Sequence, residues 1–319
     1  MAIGRSKVVI VGIGSVGAAV AFNLVMGQVC DDLVLIDLNQ EKAWAEATDL
    51  THSLGYSGSK MHVVSGDYAE CRDADVVVIA AALPYIQGQT RLDMLGKAAG
   101  IMNSVVPSIM EHGFNGSIVV ITNPVDVISG YVQKLSGLPE SRVIGTGTAL
   151  DSARLRYHLA DVMHVDPQSV YALCMGEHGD SQMIPWSQVT VGGKKFLEIL
   201  QDNQARLKDF DISEVKENTA KIAYRIVNAK GATTFGIAAI TGQIVNAILR
   251  DENKVIPVSA MLHGEYGTQG IYAGVPAVIN SQGVKELVEY HLTEEELEAL
   301  AKSFAVIRSA MDTLEQQVR

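Results

Sequence analysis

Short unbroken apolar runs, rich in β-branched residues and too brief for helices, recur through the first half of the chain. Val8–Val11 is the first, followed by Leu33–Ile36, Met61–Val64, Asp75–Ala82, Ser117–Thr122 and Arg142–Gly145. Runs of this kind suit strands buried on both faces, as in a parallel sheet. Between them lie stretches with helical spacing: the Ala/Val/Leu segment after Gly17, Gln40–Leu54, Arg91–His112 with a break near Pro107, and Asp126–Leu135. Strands alternating with helices predict an α/β, doubly wound parallel sheet of about six strands. Ligands on such sheets bind beyond the carboxyl ends of the strands, where the turn after Val11, the loop Leu83–Arg91 and Asn123 all fall.

The second half has a different texture. Ala149–Met163 reads as a helix, and Val170–Met175 as a strand running into Gly176-Glu177-His178-Gly179-Asp180. Trp186–Val191 and Phe196 suggest a hairpin through Gly192-Gly193. Two helices, Ser213–Ala229 and Thr233–Leu249, are separated by Lys230-Gly231, and Lys254–Leu262 and Gly270–Asn280 look like antiparallel strands. Thr293 and Glu296 form a capping box for a last helix, whose apolar residues Leu297, Leu300, Phe304, Ile307, Met311 and Leu314 suit core or subunit contact. The expected organisation is a Rossmann-type doubly wound domain over 1–147 and a mixed α+β domain over 148–319, closely packed because no disordered linker separates them.

The turn after the first strand reads Gly12-Ile13-Gly14-Ser15-Val16-Gly17. Gly12 permits a sharp turn, Gly14 lets backbone approach a pyrophosphate, and Gly17 lets helix lie close on strand. The helix start offers free N–H groups and a positive dipole end to phosphates. Asp37, at the end of the next strand and twenty residues past Gly17, is placed to accept hydrogen bonds from a ribose and to repel a 2′-phosphate. NAD is therefore favoured over NADP. The uncharged stretch Val8–Cys30 also resembles a signal peptide or membrane anchor, but four glycines, Asn23 and Gln28 interrupt it and no clear cleavage site follows.

Composition narrows the picture. The chain has 319 residues, 48% of them hydrophobic and 19% charged, ordinary for a globular enzyme. Its net charge of −11 and lack of a Lys/Arg-rich run argue against nucleic acid or an anionic membrane as partner. Cys30, Cys71 and Cys174 lack CxxC spacing and sit in or beside apolar runs, so reduced thiols and a cytoplasmic location are expected.

Three residues carry candidate chemistry. Asp151 and Arg154 are three apart on a predicted helix and share a face; alone they read as a surface ion pair. His178 lies at a strand end where the chain must turn, and a lone histidine is more often structural than catalytic. Together they supply an acid–histidine pair for a proton and an arginine for a carboxylate, near a nicotinamide site.

Gly12–Gly17, Asp37, Gly88–Arg91, Asn123-Pro124-Val125-Asp126, Leu150–Arg154 and Gly176–Asp180 occur in the order found in L-lactate dehydrogenases. The chain resembles that family from first strand to last helix, and also resembles L-2-hydroxyisocaproate dehydrogenases and, less closely, malate dehydrogenases. A first strand beginning near residue 6 implies a bacterial type without the long N-terminal arm of the vertebrate enzymes. The resemblance implies that His178 is the proton donor in reduction of pyruvate, or another small 2-keto acid, by NADH. Asp151 would orient the imidazole, and Arg154 would grip the substrate carboxylate with a fork. Arg91 would close over the site and polarise the carbonyl, while Asn123 would lie beside nicotinamide and substrate. Thr146 would contact the carboxamide, and Thr233 and Ile237 would line the pocket. A homotetramer is also implied.

Two positions depart from the family pattern. Tyr85 stands where lactate dehydrogenases carry Gln and malate dehydrogenases Arg. Without a cation there, the second carboxylate of oxaloacetate would be desolvated unpaired, at a cost of several kcal/mol. Malate is therefore disfavoured, while the choice between pyruvate and larger aliphatic 2-keto acids stays open. Arg156 matches an arginine that binds fructose 1,6-bisphosphate in many bacterial relatives, but Tyr171 replaces the partner histidine, so weak or altered activation is expected. The other histidines and the cysteines show no metal-ligand spacing. The rival readings are a non-catalytic NAD-binding sensor, which needs neither proton donor nor carboxylate clamp, and an NAD-dependent glycosidase, a longer chain with a metal site.

Overall fold

Six strands form the parallel part of the sheet. The computed structural model describes residues 5–83, 91–208 and 210–318. The chain runs through β1 (Lys7–Val11), α1 (Ser15–Gly27), β2 (Asp32–Ile36), α2 (Gln40–Ser57), β3 (His62–Ser65), β4 (Val76–Ile79), α3 (Arg91–Met110), β5 (Ser117–Val120), α4 (Val125–Ser136) and β6 (Val143–Gly145). The strands pair in the order β3-β2-β1-β4-β5-β6, every pair parallel. Val8, Val9 and Ile10 of β1 and all of β4 are fully buried, which is why these strands are apolar on successive residues instead of alternating. Strand order reverses between β1 and β4, opening the crevice where doubly wound sheets take their ligands.

Beyond β6 come α5 (Ala149–Met163), β7 (Val170–Tyr171), β8 (Thr190–Val191), β9 (Lys194–Lys195), α6 (Phe196–Asp202), α7 (Ile212–Lys230) and α8 (Phe235–Leu249), then β10 (Lys254–His263), β11 (Gln269–Asn280), β12 (Gly283–Leu287) and α9 (Glu294–Val318). The expected antiparallel strands do not form a separate sheet. Ser259 of β10 pairs with Gly145 of β6, and β11 and β12 add on antiparallel, extending one sheet to nine strands. Helices α1, α2 and α8 pack together, and α3, α4 and α9 form a second group. One large core joins the parallel strands, β10, β11, α8 and α9, and a smaller one lies under α5 and the β7-β8-β9 sheet.

Several elements differ from the sequence reading. Helix α3 runs unbroken to Met110, because Pro107 lies in its last turn and removes only one donor. The strand expected over Val170–Met175 pairs regularly only at Val170–Tyr171; Met175 bridges Met183 and Gly176 bridges Gly274. Trp186–Gln188 is a 3₁₀ turn, and Phe196 starts α6. The expected capping box is present: Thr293 Oγ1 accepts the Glu296 N–H at 3.2 Å, and Glu296 accepts the Thr293 N–H at 3.0 Å. In α9 the residues Leu300, Phe304, Ile307 and Leu314 are buried. The stretch 8–30 is a strand and a 13-residue helix, and no single helix among the described residues is long and apolar enough to cross a membrane.

Candidate active site

The glycine turn leaves β1 at the switch point. Gly12 has φ +94°, and a Cβ there would lie 2.5 Å from the Ala81 backbone after β4. A Cβ on Gly17 would overlap the Gly12 carbonyl oxygen. Both positions therefore need glycine for the fold itself. Gly14 differs: it caps α1, and a Cβ on it would meet nothing within 4 Å. Its open space lies at a helix N-terminus with free N–H groups, which fits a pyrophosphate. Asp37 reaches back across this turn. Its Oδ2 accepts the Ile13 N–H at 2.7 Å and its Oδ1 the Asn39 N–H at 2.9 Å, so the carboxylate is fixed beside the glycines with lone pairs left for ribose hydroxyls.

Neighbouring strand ends complete this edge. Thr122 Oγ1 donates to the Ala81 carbonyl at 2.8 Å, tying the end of β5 to that of β4. Asn123 follows, exposed, before a cis bond to Pro124. Thr146 is buried, with its N–H on the Val120 carbonyl at 3.0 Å. Thr233 lies between α7 and α8, and Ile237 is buried in the first turn of α8. That turn abuts α5, since a Cβ on neighbouring Gly236 would lie 2.7 Å from Leu150.

The side-chain centre is assembled from four segments. His178 Nδ1 lies 2.6 Å from Asp151 Oδ2, and Arg154 donates to Asp151 Oδ1 at 2.9 Å. Asp151 and Arg154 are one turn apart on α5 and both are largely buried. The 176–181 turn is drawn to α5 by shared hydrogen bonds: Thr148 Oγ1 donates to the Cys174 carbonyl at 2.6 Å, and Ser152 Oγ accepts the Cys174 N–H at 2.9 Å. Beneath His178 sits Asp126, the acid of Asn123-Pro124-Val125-Asp126. Its Oδ2 accepts the His178 backbone N–H at 2.8 Å and its Oδ1 accepts the Ser259 hydroxyl at 2.7 Å. One buried carboxylate thus links α4, β10 and the histidine turn.

The charges act on one another in a predictable way. Burial works to lower the His178 pKa, but the charge and hydrogen bond of Asp151, with Asp126 behind, outweigh it and hold the imidazole above its ordinary value. Burial works to raise Asp151, and His178 and Arg154 overcome it, holding that carboxyl low. Burial pushes Asp126 up to about 6, outweighing its two hydrogen bonds and the nearby charge of His178. The arrangement favours the charged form of the imidazole, beside a guanidinium that donates to the same carboxylate.

Tyr85 lies outside the described residues, and Arg91 opens α3 directly after that segment. Arg156 and Tyr171 are brought together. Arg156 Nε donates to the Ala172 carbonyl at 2.8 Å, its guanidinium carbon lies 5.8 Å from the centre of the Tyr171 ring, and Tyr171 shares a 2.8 Å hydrogen bond with the Tyr290 hydroxyl. Sequence reasoning assigned no role to Asp126 or Ser259. An acid in the first turn of a helix reads as a surface residue, and a serine inside an apolar strand carries no signal.

Residues 6–145 match the lactate/malate dehydrogenase NAD binding domain, and residues 148–318 match the lactate/malate dehydrogenase alpha/beta C-terminal domain. The chain belongs to the lactate/malate dehydrogenase family. Within this family it is 47% identical to L-lactate dehydrogenase 3 of Bacillus thuringiensis subsp. konkukian, over 97% of this chain and 98% of that protein. Its fold matches the ligand-bound minor L-lactate dehydrogenase of Enterococcus mundtii with a TM-score of 0.94 and 42% identity, covering 97% of this chain and 98% of that one. The lactate dehydrogenase of Cryptosporidium parvum, solved with lactic acid and nicotinamide adenine dinucleotide, matches with a TM-score of 0.92 and 31% identity, over 98% and 99%. The glycine turn and Asp37 lie within the match to the family's NAD binding domain, and His178, Asp151 and Arg154 within that to its C-terminal domain.

Proposed function

We propose that the protein is an NAD-dependent L-lactate dehydrogenase acting reversibly on pyruvate and lactate. The observation that carries this is the His178–Asp151–Arg154 constellation on a family scaffold whose NAD turn is sterically open at Gly14. The residues suit the cofactor: Gly12, Gly14 and Gly17 shape the pyrophosphate turn, Asp37 takes the ribose, and Asn123, Thr146 and Ile237 serve the nicotinamide end. When bound, NADH supplies the hydride.

His178 holds the proton for the carbonyl oxygen. With Nδ1 tied to Asp151 the transferable proton is on Nε2. Asp151 keeps the ring oriented and favours its charged form. Arg154 is itself anchored by Asp151, so its free donors hold the substrate carboxylate in a fixed plane. Arg91 polarises the carbonyl as it closes, and Tyr85 and Thr233 border the substrate side chain. A division at residue 147 puts the pyrophosphate and ribose sites in the first domain and His178, Asp151 and Arg154 in the second. Tyr85, Arg91 and Asn123 serve the substrate from the first domain, and Ile237 serves the cofactor from the second. A homotetramer in the cytoplasm completes the reading.

Activation by fructose 1,6-bisphosphate is proposed to be weak. Arg156 is engaged by the Ala172 carbonyl and the Tyr171 ring, and Tyr171 is engaged by Tyr290. Tyrosine adds no positive charge to attract phosphate.

The test is NADH oxidation, followed by absorbance, with pyruvate, 2-ketoisocaproate and oxaloacetate, each with and without fructose 1,6-bisphosphate. Pyruvate should give the highest kcat/KM, with little change on adding the bisphosphate. A preference for 2-ketoisocaproate would make the protein an L-2-hydroxyisocaproate dehydrogenase, and a preference for oxaloacetate would overturn the reading of Tyr85.

A further inference from the structure

The C-terminal helix grips the histidine turn from behind. Ser303 is fully buried, and its Oγ accepts the Glu177 N–H at 2.8 Å. The same oxygen lies 3.0 Å from Ser181 Oγ, which donates to the Glu177 carboxylate. Hydrogen directions follow: Ser303 donates to Ser181, Ser181 to Glu177, and the Glu177 backbone returns to Ser303. This ring closes both ends of the turn that holds His178. Gly176 has φ +94°, and a Cβ on it would overlap Ser303 Oγ and lie 2.7 Å from Ser303 Cβ. The helix therefore packs directly on the backbone before the histidine.

Ser303 does not act alone on that face. Glu296, seven residues earlier, accepts the Ser187 N–H at 2.9 Å and the Ser187 hydroxyl at 2.7 Å. Leu300, between them, would lie 3.6 Å from a Gly176 Cβ. Positions 296, 300 and 303 share one helix face, and it meets the chain on both sides of His178. A serine merely satisfying its own hydroxyl would need one partner; Ser303 engages both ends of one turn.

We propose that Ser303 is a positioning residue for His178, seating the 176–181 turn so that the imidazole is held against Asp151. The proposal rests on the dehydrogenase reading for its catalytic consequence, though not for the position of the ring.

The experiment compares the wild-type full chain with Ser303→Ala and Ser181→Ala. It reads kcat and KM for pyruvate, NADH affinity by fluorescence, the pH dependence of kcat/KM and the His178 titration by NMR. Misplacement of a reacting group by an ångström or less costs on the order of tenfold or more, so Ser303→Ala should lower kcat about tenfold and leave NADH affinity within about twofold. The imidazole should titrate at lower pH, because it loosens from Asp151 while Arg154 of α5, Asp126 of α4 and Glu177 of its own turn stay in place. Ser181→Ala, which removes both hydroxyl links but leaves the Glu177 N–H on Ser303, should move both readouts in the same direction by a smaller amount, about threefold in kcat.

An active Ser303→Ala enzyme with unchanged kcat and unchanged His178 titration, whatever its Tm, would overturn the proposal. If Ser303→Ala does not fold, Ser181→Ala decides by the same readouts. Should the wild type reduce no 2-keto acid while the imidazole titration still shifts in the variants, the dehydrogenase reading falls and the positioning role stands.

Discussion

The two ends of the site are built from different materials. At the glycine turn the working parts are backbone: N–H groups, a missing side chain at Gly14, and tight packing at Gly12 and Gly17. Asp37 adds a carboxylate there, fastened to that backbone. Around His178 the working parts are side chains from α4, α5 and the 176–181 turn, with β10 and α9 behind them. The first end depends on shape, so steric changes should injure it. The second depends on charge and orientation, so substitutions that preserve shape should injure it too.

The largest effect is expected at the side-chain end. His178→Asn keeps a polar group of similar reach but removes the proton donor. General acid catalysis contributes typically 10²–10⁴-fold, so kcat for pyruvate should fall about a thousandfold. NADH affinity, measured by fluorescence titration, should be unchanged. Equal loss of NADH binding would mean the two ends are not separable.

A pair of alanines tests the backbone end. Gly17→Ala forces a methyl into the Gly12 carbonyl and should cost about 3 kcal/mol of stability by denaturant unfolding. Gly14→Ala enters open space, so stability should stay within about 0.5 kcal/mol of wild type. NADH affinity should nonetheless weaken at least tenfold because the methyl meets the pyrophosphate. If Gly14→Ala bound NADH normally, the cofactor would have to approach elsewhere.

Arg154→Lys separates fork from charge. A lysine keeps the positive charge but not the paired donors, and loss of a charged hydrogen bond costs about 1.5–3 kcal/mol. Pyruvate KM should therefore rise about tenfold or more, with NADH affinity unaltered.

Asp126→Asn should act more gently, chiefly through pH. Without that carboxylate the His178 pKa drops, and the alkaline limb of kcat/KM for pyruvate reduction moves to lower pH. Stability should report the same groups. His178 is raised on folding, so its contribution is complete below its ordinary value near 6.5 and fades as pH climbs through the raised folded value. Asp126 is also raised, so folding gains as pH drops from about 6 toward 3.8, and the Asn variant should lack that gain. Tm measured across this pH range checks both slopes.

How much of this was legible varied with sequence distance. The turn Gly12–Gly17 and the acid twenty residues on lie within a single strand–helix–strand unit, so steric logic alone located them. Asp151 and Arg154 were legible as a helix-face pair, and His178 as a histidine in a turn. Their meeting was expected from their combined chemistry and from the family resemblance, not from any local pattern, because 27 residues separate Asp151 from His178. Asp126 and Ser259 are 133 residues apart, and neither residue type at its position signals a buried link. The strand lengths in 170–191 and the fate of β10 were also hidden, since apolar runs do not say which sheet they join.

The sequence by itself determined the alternation of strands and helices, the glycine turn, the acidic end of β2 and the set of chemically able side chains. Each follows from local sterics and hydrophobic periodicity, which act over a few residues. Only the tertiary structure decided that β10 completes the sheet against β6, and that Asp126 and Ser303 join Asp151 on one histidine turn. Those decisions depend on burying apolar surface and pairing polar groups between segments far apart in the chain, and no local pattern encodes such pairings.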